Sequence, residues 1–439
     1  MGIGTPPQQM NILIDTGSSN FALAAADNQA IDKYFDSSNS STFSATQKQV
    51  SVPYTQGNWQ GYLATDVVTI PSMNITVDDA TLSCIYSSEN FFINGSNWQG
   101  ILGLGYSQIA RPDSSVEPLF DAIVRNGIVN DTFSMQLCGN KFNGTAQGVL
   151  VGGTSLSQFL VLGGISESLY EGPIYYAPIH EPWYYEVVLT DIKVGRESLN
   201  MDCKEYNYDK TIVDSGTTNL RVPKRVFQEI IERMRMIMEA LPIGGIPATF
   251  WDGSEKNILC PDDGTLPWET LPSIELHLGM TPNSSFGLVV APRMYLRPVH
   301  DIFDPLSNGT CYKFAITPSD TGTVIGAVVM EAFYVIFDRV SQQVGFASSS
   351  CGLSVEALNH LINPYTNPGG DNWDCAYLRY HGAPNALQTV AYVMAGVCGA
   401  CLIPLVVMVI HWQIVRCKEH KSDDYGLLHE DHTLEQSTE

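Results

Sequence analysis

Ile12-Leu13-Ile14-Asp15-Thr16-Gly17-Ser18-Ser19-Asn20-Phe21 is the stretch on which the reading of this chain turns. A short apolar run ends in an aspartate, and then come a small hydroxyl residue, a glycine and two more hydroxyl residues. The run reads as a buried strand. The glycine reads as the sharp turn that lets the carboxylate emerge from the strand end. One such stretch is weak, because Asp, Ser, Thr and Gly dominate ordinary turns. A second copy, Thr211-Ile212-Val213-Asp214-Ser215-Gly216-Thr217-Thr218-Asn219-Leu220, lies 199 residues further on. Two copies with matched flanks predict two similar halves, each delivering one aspartate.

A further pair follows the same plan: Gly100-Ile101-Leu102-Gly103-Leu104 after the first aspartate and Thr323-Val324-Ile325-Gly326 after the second. On these four segments the chain resembles the pepsin-like aspartic proteases. The resemblance implies a mostly β, bilobal fold with pseudo-twofold related lobes. It also implies a hydrophobic-hydrophobic-Gly segment crossing behind each active-site loop, and Asp15 and Asp214 as the catalytic pair.

Composition points the same way. The 439 residues suffice for more than one domain and a sizeable core. Helical periodicity is sparse and short Val/Ile/Tyr-rich runs are many, which reads as mostly β. The net charge of −23 argues against nucleic acid, which needs a basic footprint. Ten cysteines, and Asn-x-Ser/Thr sequons at Asn39, Asn74, Asn94, Asn130, Asn143, Asn283 and Asn308, indicate the secretory pathway. Met1 is followed at once by Gly-Ile-Gly-Thr-Pro-Pro-Gln, with no apolar leader. The expectation is therefore a chain truncated at its start, or a variant gene model, with signal and pro-segment outside it.

In order along the chain, residues 1–165 are expected to form the first lobe and 166–352 the second. Val52 to Gly61 reads as a β-hairpin with Gly57 at its tip. In the family this hairpin is the flap, and Tyr54 occupies the place of its tyrosine; an ordinary surface hairpin is the plainer alternative. Helices are expected over Val116–Asn126 and Pro223–Leu241, the latter with Val226, Phe227, Ile230, Ile231 and Met234 on one face. A juxtamembrane segment spans 353–385. Ala386 to Ile410 holds no Asp, Glu, Lys or Arg, and about 20 apolar residues span a bilayer. A transmembrane helix is expected over 386–412, with Pro404 as a kink. Arg416, Lys418 and Lys421 follow, so the positive-inside rule puts the tail, 413–439, in the cytosol.

Seven cysteines precede the membrane segment: Cys84, Cys138, Cys203, Cys260, Cys311, Cys351 and Cys375. Six of them can pair in fifteen ways, which sequence alone does not resolve. Their spacing is similar to that of the membrane-anchored β-secretase branch of the family. So are Phe91-Phe92-Ile93-Asn94-Gly95-Ser96-Asn97-Trp98, Trp183-Tyr184-Tyr185-Glu186-Val187 and Met201 to Lys210. The branch implies Cys138–Cys351, Cys203–Cys375 and Cys260–Cys311, with Cys84 left as a buried free thiol. Cys398, Cys401 and Cys417 read as packing residues in or beside the membrane, S-palmitoylation of Cys417 being a second reading. Asp424-Tyr425-Gly426-Leu427-Leu428 has the acidic-dileucine form that endosomal sorting adaptors read.

The chemistry the resemblance implies uses the two carboxyls as one unit. Like charges a few ångströms apart do not both ionise easily, so the pair holds one proton. The ionised member activates a water, the other hydrogen-bonds the developing oxyanion, and no acyl-enzyme forms. Thr16 and Ser215 would cross-brace the loops. Ser18 and Thr217 would hydrogen-bond the outer carboxylate oxygens, and Gly17 and Gly216 would offer N–H donors. Tyr54, Thr55, Gln56 and Trp59 would form the flap, with Tyr54 and Trp59 lining the S1 side. Arg221 would line the cleft, a surface salt bridge being its plainer alternative. Neither His-Glu-x-x-His nor Gly-x-Ser-x-Gly occurs, and neither metal nor cofactor is expected. The expected function is a type I membrane endopeptidase acting on membrane-protein ectodomains or peptides in acidic Golgi or endosomal compartments, or at the cell surface. A catalytically silent peptide-binding receptor is the alternative, and a soluble digestive enzyme a third, disfavoured by the membrane segment.

Overall fold

The computed structural model describes residues 1–54, 57–138, 158–239, 246–254, 256–261, 266–299, 310–351, 361–366, 370–377 and 384–430. Chain contacts divide into two units, Met1–Tyr377 and Leu378–Glu439.

In the first unit, each half builds the same small motif around its aspartate. Ile12–Asp15 runs parallel to Gly100–Gly103, which in turn lies antiparallel to Phe21–Ala24. In the second half Thr211–Val213 runs parallel to Thr323–Ile325, which meets Leu220–Pro223 antiparallel. The glycine in each crossing segment is required by a close backbone approach. A methyl group at Gly103 would sit 2.5 Å from the Ser19 backbone, and one at Gly326 would sit 2.3 Å from the Asn219 carbonyl oxygen.

The first motif belongs to an eight-stranded sheet and the second to a four-stranded one. Beneath them lies a five-stranded sheet in the order Phe159–Leu162, Thr132–Gln136, Phe333–Asp338, Gln343–Ser349, Tyr170–Pro178. It mixes strands from both halves. The boundary placed near residue 165 falls between the strands that form its two edges.

The hairpin pairs Ser44–Pro53 with Asn58–Ile70, ending at Pro53 opposite Asn58. Gly57 has φ +81°, and a methyl group there would lie 2.3 Å from the Asn90 carbonyl oxygen, so the tip admits only glycine. Thr55 and Gln56 lie outside the described residues.

The helix Lys224–Glu239 begins one residue later than its pattern suggests, because Pro223 still belongs to the preceding strand. Val226, Phe227, Ile230, Ile231 and Met234 are buried. The shorter helix is Leu119–Arg125, delayed by Pro118 at its N-cap.

Disulfides join Cys138–Cys351, Cys203–Cys375 and Cys260–Cys311, with Cα–Cα separations of 5.6, 5.0 and 4.2 Å. The first two close long loops, for which chain-entropy reasoning gives about 4–5 kcal/mol each. Before Cys375, Ile362–Thr366 adds as an edge strand beside Ser284–Val290. Buried Glu275 fastens it, accepting hydrogen bonds from Tyr365 Oη at 2.9 Å and Asn363 Nδ2 at 3.1 Å. Burial opposes the Glu275 charge, but the hydrogen bonds from His277, Asn363 and Tyr365 outweigh it and lower its pKa to about 2.

Cys84 is buried and free, and burial pushes its thiol up to about 12. The thiolate is the reactive form. Cys84 is therefore expected to stay unlabelled by iodoacetamide at pH 8 in the native chain and to label fully in urea, read by peptide mass spectrometry. Asn39, Asn74, Asn94, Asn130 and Asn283 are all exposed; Asn143 and Asn308 lie outside the described residues.

The described residues of the second unit form one helix, Pro384–Glu430, with Pro404 inside it. Val390–Arg416, 27 residues, is long and apolar enough to cross a membrane, since a bilayer core of about 30 Å needs about 20 residues. Cys398 and Cys401, spaced Cys-x-x-Cys, are free and exposed on it. Only the backbone course is described at Cys417, Asp424, Leu427 and Leu428.

Candidate active site

Asp15 and Asp214 leave their strands at equivalent turns and face each other. They are 4% and 8% exposed, and their carboxyls are within hydrogen-bond contact. The close approach shows most plainly at the glycines. A methyl group at Gly17 would lie 2.5 Å from the Asp214 carboxyl, and one at Gly216 would lie 2.3 Å from Asp15 Oδ1. Each turn is therefore glycine because the opposite carboxylate occupies the space.

Each carboxylate is held by its own loop. Gly17 N donates to Asp15 Oδ1 at 2.8 Å and Ser18 Oγ donates to Asp15 Oδ2. Gly216 N donates to Asp214 Oδ1 at 2.8 Å and Thr217 Oγ1 donates to Asp214 Oδ2 at 2.7 Å. The loops also hold each other. Thr16 N donates to Ser215 Oγ at 3.1 Å, and Ser215 N donates to Thr16 Oγ1 at 2.9 Å. Thr16 Oγ1 donates to the Val213 carbonyl at 2.9 Å, and Ser215 Oγ donates to the Ile14 carbonyl at 2.8 Å. This reciprocal brace leaves the two aspartates little freedom to separate.

Burial first, and then the Asp214 charge beside it, hold the Asp15 carboxyl well above the ordinary carboxylate range. The Ser18 hydrogen bond works the other way. Removing it with Ser18→Ala raises the Asp15 pKa further, so the pair keeps its proton to higher pH and the alkaline limb of the kcat/KM profile is expected to move to higher pH. Loss of one charge-assisted hydrogen bond of about 1.5–3 kcal/mol implies about a 10–100-fold fall in rate. A pH–rate profile on a peptide substrate checks both.

Tyr54 reaches toward the pair. Its ring stacks on Phe91 at 5.3 Å, and its hydroxyl accepts from Trp59 Nε1 at 3.3 Å and lies in hydrogen-bond contact with Ser18. Burial and the Asp15 charge raise its pKa, keeping the phenol neutral. Trp59 corrects an expectation: it does not line the cleft. It is 0% exposed, on the inward side of its strand among Val52, Leu63 and Phe91, and it braces Tyr54 from behind. Arg221 is half-buried on Leu220–Pro223, and its Nε has no acceptor among the described residues. Neighbouring Asp320 pairs instead with Lys224 at 2.6 Å.

Two supporting residues escaped the sequence reading. Asn20, 4% exposed, clamps the first loop, accepting from Arg111 N at 2.8 Å and donating to the Arg111 carbonyl at 2.8 Å. Only its recurrence as Asn219 in the second copy signalled it. Tyr185, from the second half, donates to the Leu104 carbonyl behind the first loop, and no local pattern signals that.

Comparison with known proteins agrees with the geometry. The family model described as eukaryotic aspartyl protease matches residues 1–349. A beta-secretase of Strongylocentrotus purpuratus is 45% identical, covering 97% of this chain and 82% of its own. Pepsin A of Sus scrofa is 27% identical over 79% of this chain and 80% of its own, and pepsin A of Gallus gallus is 26% identical over 80% and 83%.

Proposed function

The chain belongs to the eukaryotic aspartyl proteases, on their β-secretase branch, and is an aspartic endopeptidase with one membrane anchor; from that premise we propose that it is a type I membrane enzyme cutting the ectodomains of other membrane proteins in acidic compartments. Asp15 and Asp214 share one proton. The ionised carboxyl takes a proton from a water, which attacks the scissile carbonyl. The protonated carboxyl hydrogen-bonds the developing oxyanion, and a proton then passes to the leaving nitrogen. The observation that carries this is the packing of Gly17 and Gly216 against the opposite carboxylates.

An acidic optimum follows from the raised Asp15 pKa, since the pair works only while it keeps one proton. Tyr54 closes over the peptide, and half-buried Arg221 favours polar or acidic side chains near the scissile bond. The basic residues Arg416, Lys418 and Lys421 support a cytosolic tail by the positive-inside rule, with the exposed Asn39, Asn74, Asn94, Asn130 and Asn283 then lumenal. Asp424, Leu427 and Leu428 engage endosomal adaptors, cycling the enzyme between Golgi, endosome and surface. The anchor raises effective concentration for substrates in the same membrane. The test is cleavage of a peptide library at about pH 4.5, near the ordinary carboxylate range, by the wild-type chain but not by Asp214→Asn. Equal activity of the two sinks the proposal.

A further inference from the structure

The brace between Thr16 and Ser215 fixes the two loops to each other, but it does not fix the joined pair to the body of the molecule. Tyr185 reaches the segment that supports each loop. Its hydroxyl donates to the Leu104 carbonyl, and the Leu104 amide donates to the Asp15 carbonyl at 2.8 Å. Its own carbonyl accepts from the amide of Val213, the residue before Asp214, at 3.1 Å. The carbonyl of that same Val213 accepts from Thr16 Oγ1. One residue is thus a single hydrogen-bonded step from the chain beside each catalytic carboxyl.

Tyr185 is also fixed in place. It is 0% exposed, and its ring is boxed by Phe337 at 4.6 Å, Tyr106 at 5.3 Å and Phe133 at 5.8 Å. Phe133 and Phe337 stand on neighbouring strands of the mixed sheet. The ring therefore carries the position of that sheet up to both loops.

We infer that Tyr185 is a positioning residue for the reaction, tying Leu104 and Val213 to one rigid ring and so fixing the depth and spacing at which Asp15 and Asp214 meet. The inference rests on the dyad reading given above. Tyr185 touches no substrate, so its loss acts on kcat and on the proton shared by the pair, not on KM. A loosened pair feels less mutual repulsion, so its two ionisations draw together and the alkaline limb of the rate profile moves to lower pH.

The test compares Tyr185→Phe with the wild-type chain, with Asp214→Asn and with Tyr106→Phe, all full-length in detergent. Tyr106 is the control, because its hydroxyl sits in the same ring cluster without a hydrogen-bond partner among the described residues. For Tyr185→Phe, kcat is expected to fall about tenfold through the unmet Leu104 carbonyl, with KM unchanged and the alkaline limb displaced downward. Tyr106→Phe should match wild type in all three. Wild-type kcat and pH profile in Tyr185→Phe, an equal loss in Tyr106→Phe, or failure of Tyr185→Phe to fold would each overturn the inference. A second readout needs no activity: thermal stability falls as pH rises through the Asp15 pKa, and in Tyr185→Phe that fall should shrink. Should wild type and Asp214→Asn prove equally inactive, the endopeptidase reading fails while this stability comparison still decides the role of Tyr185.

Discussion

Asp214→Asn should give a folded chain whose kcat/KM on peptides is lower by at least about a thousandfold, in the range seen when one member of a catalytic unit is removed. The side chain keeps its shape and its contact with Thr217, so the loop brace survives. What disappears is the second carboxyl needed to hold or accept the shared proton. The same substitution should stabilise the chain at neutral pH. The native state binds the Asp15 proton more tightly than the unfolded state, whose carboxyl titrates at about 4. Stability is therefore fully present below that value and is lost as pH rises through the raised native pKa. Removing the Asp214 charge, the second cause of that rise, returns part of the loss. Calorimetry should show a higher melting temperature than wild type at pH 7.5 and a smaller difference at pH 4.5. A melting temperature no higher than wild type at pH 7.5, or the same difference at both pH values, would mean that the pair is not coupled as the geometry requires.

Arg339→Met should cost about 3–5 kcal/mol, the range for breaking a buried ion pair by removing one partner. Arg339 stands at the end of the Phe333–Asp338 strand with its side chain 5% exposed. It reaches across to the first half, where it holds Asp121 through two hydrogen bonds at 2.9 and 3.1 Å and Asp131 at 3.1 Å. Its guanidinium also lies 4.7 Å from the Tyr106 ring centre and 5.3 Å from that of Phe120. Methionine keeps most of the packing and strands two carboxylates. Burial already raises Asp131 even beside the arginine. The deficit should therefore shrink in acid, as the stranded carboxyls protonate, and in the triple variant that also carries Asp121→Asn and Asp131→Asn. Urea midpoints at pH 7 and pH 4.5 are the measurement.

Much of the centre could be read from the chain because its requirements are local. The approach of each carboxylate to the opposite loop demands glycine at 17 and 216, and the mutual brace demands a hydroxyl at 16 and 215. Those demands repeat as a visible motif. The helix face of Val226, Phe227, Ile230, Ile231 and Met234 was legible for the same reason: its period is written in consecutive turns. Trp59 was misplaced because a hairpin's alternation does not say which face meets the core. That is decided by Ile101, from another strand of the sheet, and by Phe91 and Phe92, from the loop that follows Ile75–Glu89. Tyr185 and Arg339 were invisible as supports because their partners lie 81 and 218 residues away.

The sheet that interleaves both halves also has a consequence for how the chain is made. Thr132–Gln136 obtains one neighbour, Phe159–Leu162, almost at once, but the other, Phe333–Asp338, is about 200 residues later. At about 5–20 residues per second, the nascent polypeptide carries that open edge for about 10–40 seconds. An exposed strand edge is a template for pairing with any other chain. The edge therefore stays open to wrong pairing until the ribosome has delivered its mate. A polypeptide terminated before that point should be recovered as aggregate, not as half an enzyme.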